Sequence, residues 1–396
     1  MSNQKPQALA GIKILDLARL GPGPHSSQIL GDFGAEVITV EPPISKKGVA
    51  LKIPRGAPIR RNTRSIRLNL KNGRGQEILK KLVEQSDVVV EGFRPGVAKR
   101  LNIDYESLKA IKEDIIVASL SGFGQDGPYN KVVGHDINYQ GIAGFLDMTG
   151  GPDGKPGLPG NPIADNAGGI GAALAITTAI IAKQRTGQGQ YIDFSMVDTL
   201  MTMMFLSVNA YADSGKAPTR GSSFLTGAFP WYSIYECSDG KYVTVGCVEP
   251  WFYENLCRLL GREDFIENQR VEGEEREKRF RVFREIFKTK TRDEWVKELM
   301  FEETCVGPVY SVDEVVKDPH LRERGIVLES PDPDKGEKTQ VGPMFHLPSM
   351  PGRIRHPAPE MGADTPAVMA EIGYSDADTK DLAECGAISL NESTSA

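Results

Sequence analysis

Three short stretches carry side chains able to move protons. In "VGHDINYQG" (133–141) His135 stands beside Asp136 between glycines, one of five histidines among 396 residues. In "ADNAGG" (164–169) Asp165 opens an apolar, glycine-rich stretch, and in "VGCVEPWFY" (245–253) Glu249 precedes a proline. An imidazole facing a carboxylate suits general acid–base chemistry, whereas a carboxylate alone can serve as a nucleophile. Each residue also has an ordinary use. His135 can be a packed imidazole, Asp165 a helix N-cap whose carboxylate accepts backbone N–H bonds, and Glu249 a loop acid. Spacing along the chain does not bring the three together, so both readings stay open at this point.

The basic residues suggest an anion. Arg94 in "EGFRPGV" (91–97) follows the apolar run "DVVVE", just past a strand's C-terminal end, where open parallel sheets bind ligands. A guanidinium fork there suits a phosphate. "RGAPIRRNTRS" (55–65) adds Arg55, Arg60, Arg61 and Arg64. In a chain of net charge −6, this local basicity points to a nucleotide-like anion. The overall balance argues against nucleic acid or an anionic membrane as the main partner. The turn "GPGPHS" (21–26) invites a dinucleotide reading, with Glu41 about 20 residues on for a ribose hydroxyl. Against it, Ser26 stands where a third glycine packs helix on strand, and two prolines crowd the turn. A tight strand-to-helix turn is the better reading.

The elements that must position these residues come from hydrophobic patterning. A chain this long calls for two domains. "IKILDLA" (12–18), "AEVITVE" (35–41), "RSIRLNL" (64–70), "DVVVE" (87–91) and "IIVASLSG" read as strands with helix-like segments between them. Apolar runs rather than alternation mean a parallel sheet covered on both faces. In the helix "GRGQEILKKLVEQS", Leu79, Leu82 and Val83 share one face. Residues 165–187 form a small-residue helix, with Gly168, Gly169 and Gly171 for close packing, and "MVDTLMTMMFLSVNAYA" forms a second apolar helix. "DSGKAPTRGSS" (213–223) reads as a linker, followed by a hairpin about "SDGK" and charged helices from about 250 to 300, the charge run a solvated face. Cys237, Cys247, Cys257, Cys305 and Cys385 contain no CxxC pair, so neither a disulfide framework nor a metal site is expected. With no apolar run of signal-peptide or membrane-span length and no peroxisomal ending, a cytoplasmic protein without membrane insertion is expected.

In order and spacing, several motifs resemble the α-methylacyl-CoA racemases of CoA-transferase family III, the CaiB/BaiF type. They are "GPGPHSSQILGDFGAEV" (21–37), "EGFRPGV" (91–97), "SGFGQDGPY" (121–129), "GHDINY" (134–139), "ADNAGG" (164–169), "RTGQGQYID" (185–193), "FPWYSIYECSDGKYVTVGCVEPWFY" (229–253) and "CVGPV" (305–309). The resemblance implies an α/β fold. A large Rossmann-like CoA-binding domain with a parallel sheet would come from 1–200 and 335–396, a linker from 201–226, and a smaller α+β domain from 227–334. It also implies an interlocked homodimer, with each site between one chain's large domain and the other's small one.

The chemistry implied depends on branch. The family's transferases use an aspartate nucleophile, which matches Asp165, and its racemases set that aspartate opposite the histidine of a GHD motif, here Gly134–Asp136. Two bases on opposite faces can invert a carbon held in a fixed pocket, one taking the α-proton while the other delivers one. His135 and Asp165 would be those bases, with a thioester enolate between them. Its oxyanion would rest on a helix N-terminal N–H near Asp165 or Asp136. Glu249 would fix the His135 tautomer, and Arg94 would meet the CoA phosphates. No cofactor is needed beyond the CoA of the acyl-CoA substrate. Two departures stand out. Pro42 replaces a basic residue of the racemases, leaving Lys46, Lys47 or Arg55 to reach the adenosine end. The "LDGGAP" loop reads "LTGAFP" (225–230). Met196, Met201, Met203 and Met204 are either an acyl-binding surface or helix core. The expectation is therefore a 2-methylacyl-CoA racemase, with a CoA-transferase and an inactive acyl-CoA-binding protein as alternatives.

Overall fold

The structure, a computed structural model, describes residues 5–43, 58–150, 155–332 and 336–391. Six strands build the principal sheet: β1 Lys13–Asp16, β2 Glu36–Glu41, β3 Thr63–Arg67, β4 Val88–Glu91, β5 Ile116–Ser121 and β6 Tyr191–Ser195. All neighbours pair in parallel, in the order β3-β2-β1-β4-β5-β6. The central strands bury their apolar runs, Ile14 and Leu15 of β1, 88–90 of β4 and 116–120 of β5, as a sheet covered on both faces requires. The strand order reverses between β1 and β4, which opens a crevice at their C-terminal ends. The expected α/β, Rossmann-like architecture is present.

The helix Gly73–Glu84 begins at Asn72, whose side chain accepts from the Arg74 N–H, and it buries Ile78, Leu79, Leu82 and Val83. These residues share a core with Leu15, Val89 and Val117 of the sheet, and with Val368, Met369 and Ile372 near the chain's other end. Both ends of the chain thus contribute to one core. The "GPGPHS" turn differs from expectation in one respect. The helix begins at Pro22 rather than after the prolines, because first-turn N–H groups have no intrahelical partner and proline loses nothing there. Gly23 lets helix and strand touch, since a Cβ there would lie 2.2 Å from that of Ala18.

The long helix Ile163–Thr186 ends at Gly187, left-handed at φ 72°. Its glycines serve close packing. A Cβ on Gly168 would lie 3.0 Å from Met196 Cγ, and one on Gly169 2.5 Å from His25 Nδ1. By length and composition this helix could cross a bilayer. Here it packs against the helix Pro22–Asp32, the helix Met196–Met203 and the sheet. The second apolar helix is broken at Met204, giving Met196–Met203 and Phe205–Ser214.

The chain divides into two compact units, 1–143 with 160–203 and 319–396, and 144–159 with 204–318. This division differs from the expected boundaries: 144–159 fall in the second unit, 204–226 belong to it rather than forming a linker, and 319–334 fall in the first. The strands β7 Tyr232–Glu236, β8 Tyr242–Gly246 and β9 Val306–Val309 form an antiparallel sheet in the second unit. The strands β10 Val327–Asp332 and β11 Gly336–Val341 pair antiparallel in the first, so a boundary between 334 and 335 would separate two paired strands. Residues 205–214 are helix, not linker. The hairpin about "SDGK" is present as expected, whereas β9 escapes sequence reading because Gly307 and Pro308 interrupt it. It lies at a sheet edge, where proline is tolerated. The charged helix Gly273–Phe287 exposes most of its charges and buries Phe280, Phe283 and Phe287 with Tyr235 and Trp295.

Candidate active site

The crevice is lined by the turns that leave β1, β4 and β5. At the end of β1, Asp16 Oδ1 accepts from the Ala18 N–H at 2.8 Å, and complete burial pushes its carboxyl up to about 6. At the end of β4, Glu91 accepts from the Phe93 N–H at 2.7 Å, and burial raises its carboxyl too. Such strand-end carboxylates shape the turns that lead to Gly21 and Arg94. Gly21 has φ 66° and ψ −134°, open only to glycine. A Cβ there would lie 3.3 Å from Asp165 Oδ1. Asp165 therefore sits directly over the β1 turn.

His135 and Asp136 begin the short helix Asp136–Ile142. His135 occupies the N-cap position and donates its backbone N–H to Asn138 Oδ1 at 3.0 Å. Asp136 reaches across 28 residues: its Oδ1 accepts from the backbone N–H of Ala164 at 2.6 Å and of Asp165 at 3.1 Å, and its Oδ2 accepts from Gln140 Nε2. This corrects the N-cap reading of Asp165. The N-cap of the long helix is Pro162, which has no side-chain bond to give, and the orphan N–H groups of the first turn are met by Asp136. Asp165 is thereby released from capping and stands half-buried in the crevice.

Burial raises the Asp165 carboxyl above the usual range, the charge of Asp136 adds to this, and His135 works against it. The three groups feel one another, as a single site requires. Tyr139, one turn into the same helix, is 8% exposed and donates its OH to Gly134 O at 2.6 Å. Burial and the Asp165 charge raise its hydroxyl, against the pull of Arg94. His135, Asp136, Tyr139, Asp165 and Arg94 are thus gathered at the sheet's switch point. Neither the N–H of Asp136 nor that of Ile137 makes a hydrogen bond among the described residues. Those of Ala164 and Asp165 are taken, which removes them as donors to an oxyanion.

The expected cationic cluster is largely self-neutralised. Arg64 forks onto Glu371 at 2.7 and 2.8 Å, Arg61 grips Asp32, and Arg60 pairs with Glu41 deep in the fold. That pairing also uses Glu41, so no ribose acid is left there. Lys46, Lys47 and Arg55 lie outside the described residues. The Arg94 side chain is exposed and makes no hydrogen bond or ion pair among the described residues, while its carbonyl accepts from the Val97 N–H. Arg19 resembles it. It is exposed, its carbonyl accepts from Arg60, and it follows β1 as Arg94 follows β4. β1 and β4 pair at Asp16↔Val90, and a Cβ on Gly92 would lie 3.4 Å from that of Ala18. Sequence reading passes over Arg19 because a lone arginine in "LARLG" looks like any surface residue. The signal is its place immediately after a buried strand.

Glu249 belongs to the second unit. It stands at the N-cap position of the helix Pro250–Leu259, half-buried and without a side-chain capping bond. After burial, its charge is what raises the Cys305 thiol. In the departing loop, Thr226 closes a turn with Ser223 through hydroxyl and backbone bonds, and Phe229 stacks on Trp231 at 4.9 Å. Of the methionines, Met196 is core, while Met201 and Met203 are exposed. Among the described residues no cluster of His, Cys, Asp or Glu is arranged to hold a metal ion.

Asp165 over the β1 turn, His135 at the head of the helix Asp136–Ile142, and the exposed Arg19 and Arg94 after β1 and β4 are placed by a parallel α/β sheet of the order β3-β2-β1-β4-β5-β6. The chain belongs to CoA-transferase family III, whose model matches residues 9–365. It is 37% identical over 371 residues to the human alpha-methylacyl-CoA racemase, covering 93% of this chain and 94% of that protein. It is 33% identical over 396 residues to the succinate–glutarate CoA-transferase of Agrobacterium fabrum, covering 94% and 97%. Among solved structures, a CaiB/BaiF family protein from Brucella suis matches with a TM-score of 0.78 at 31% identity, over 93% of this chain and all of that one.

Proposed function

We propose that the chain is a racemase of 2-methylacyl-CoA thioesters, working by two-base proton transfer through an enolate. The observation that carries this reading is that Asp136, next to His135 in the chain, holds the backbone N–H groups of Ala164 and Asp165 and so ties the His135 loop to the turn of the half-buried Asp165. A carboxylate nucleophile needs no histidine beside it. A two-base mechanism needs two groups that can each hold and release a proton, which an imidazole and a carboxyl with raised proton affinity supply. His135 takes the α-proton of one enantiomer while Asp165 delivers a proton to the opposite face, and the roles exchange in the other direction. The free N–H groups of Asp136 and Ile137 are available to the thioester oxygen as charge develops on it. Arg94 and Arg19 meet the CoA phosphates, and CoA enters as part of the substrate with no further cofactor.

The same reading includes a homodimer in which Glu249 of a second copy orients His135. Apolar side chains support it. On the helix Phe205–Ser214, Phe205, Leu206 and Tyr211 are each more than half exposed, and on the long helix Leu174 is 67% exposed. Surfaces of this kind call for a partner. The test is α-proton exchange in deuterated water over a panel of 2-methylacyl-CoA esters, run beside CoA exchange between acyl-CoA and acid pairs. Deuterium should enter the α-position of both enantiomers of at least one ester. CoA movement without α-deuterium would replace this reading with a transferase acting through Asp165.

A further inference from the structure

The helix Asp136–Ile142 buries only two side chains, and they are neighbours: Tyr139 and Gln140, 8% and 1% exposed. Each leads to a different base. The Tyr139 hydroxyl donates to Gly134 O, the carbonyl just before His135. Its ring fills a socket between glycines: a Cβ on Gly122 would lie 2.2 Å from Tyr139 Cε1, and one on Gly134 2.9 Å. Phe123 packs edge-on against it at 5.2 Å. Gln140 Nε2 donates to Asp136 Oδ2, whose other oxygen holds the N–H groups of Ala164 and Asp165. Gln140 Oε1 is buried without a partner among the described residues. The opposite amide orientation would set that oxygen against the Asp136 carboxylate. A leucine would remove the unpaired Oε1 but also the donor to Asp136 Oδ2, so the fold keeps an unsatisfied acceptor to retain one donor.

We infer that Tyr139 and Gln140 are positioning residues, one for each base: Tyr139 sets the loop that carries His135, and Gln140, through Asp136, sets the helical turn that carries Asp165. The inference rests on the two-base reading, and neither residue touches the reacting carbon. Because the two hydrogen bonds are separate, losing either disturbs one half-reaction.

The experiment measures α-deuterium exchange on each enantiomer of an accepted 2-methylacyl-CoA with the full-length protein. His135→Ala and Asp165→Ala first assign each enantiomer to its base. Tyr139→Phe keeps the ring and should slow only the His135-dependent enantiomer, about fivefold to tenfold, with KM unchanged. Gln140→Leu should slow only the Asp165-dependent enantiomer to a similar extent. Equal slowing of both enantiomers by either variant, or no slowing by either, overturns the inference. If the wild-type protein exchanges no α-proton, the racemase reading fails by itself, and amide hydrogen exchange then decides. Tyr139→Phe should expose the amides of 135–138 and spare 164–166, and Gln140→Leu should do the reverse. Matching changes in both segments, or in neither, overturn it.

Discussion

At the scale of residues, binding and reaction fall to different groups in the proposed racemase reading. The Arg94 side chain lacks a protein partner in the described structure and sits at a strand end, so its guanidinium is free to meet a phosphate remote from the reacting carbon. Such contacts are made equally in ground and transition states. Arg94→Ala should therefore raise KM for acyl-CoA at least tenfold and change kcat by less than threefold in steady-state kinetics. A large fall in kcat at constant KM would contradict that role. Asp165 is tuned first by burial and then by the charge of Asp136. The rate in which Asp165 is the base is lost as pH falls through its raised pKa. Asp136→Asn keeps an oxygen for the Ala164 and Asp165 N–H groups while removing the charge, so the Asp165 pKa should fall. The acid limb of kcat for that enantiomer should move to lower pH, while Tyr139, Arg94 and His135 stay in place around the carboxyl. An unmoved limb would show that burial alone sets this pKa.

At the scale of elements, the close contact between the helices Pro22–Asp32 and Ile163–Thr186 holds Asp165 over Gly21. Alanine in place of a helical glycine ordinarily gains about 1 kcal/mol in propensity. At Gly169 the new Cβ would fall 2.7 Å from His25 Cβ and 2.5 Å from Nδ1. Overpacking of that kind costs about 1–3 kcal/mol. Gly169→Ala should thus destabilise by about 1 kcal/mol net, read as a lower urea midpoint. A raised midpoint would mean the helices part without cost. The sheet was legible because β2 and β4 are apolar runs with helices between them, and the long helix because its end falls at Gly187. β9 was not, since Gly307 and Pro308 hide its pattern. The cap on the long helix was hidden for another reason: the choice of Asp136 over Asp165 depends on a contact made by folding. The same holds for Arg64, whose carboxylate partner Glu371 is 307 residues away. His135, Asp165 and Arg94 could be picked out by motif, whereas Arg19, Tyr139 and Gln140 gain meaning only beside their neighbours.

At the scale of the whole molecule, the proposed homodimer can be tested by mixing variants. If each site draws His135 from one chain and Glu249 from the other, His135→Ala and Glu249→Ala proteins, each unable alone to racemise, should regain about a quarter of wild-type racemisation when subunits exchange, by the statistics of equal mixing. No recovery after demonstrated exchange would place both residues on one chain. The path of the chain has a consequence of its own. It passes between its two units at 143/144, 159/160, 203/204 and 318/319, so the second unit is two separate stretches of sequence. Domains acquired by insertion enter a host at a single place. This one cannot be lifted out or exchanged by a single recombination, because 144–159 and 204–318 would have to change together. Any chimera that exchanges the second unit must therefore carry both stretches from the same parent.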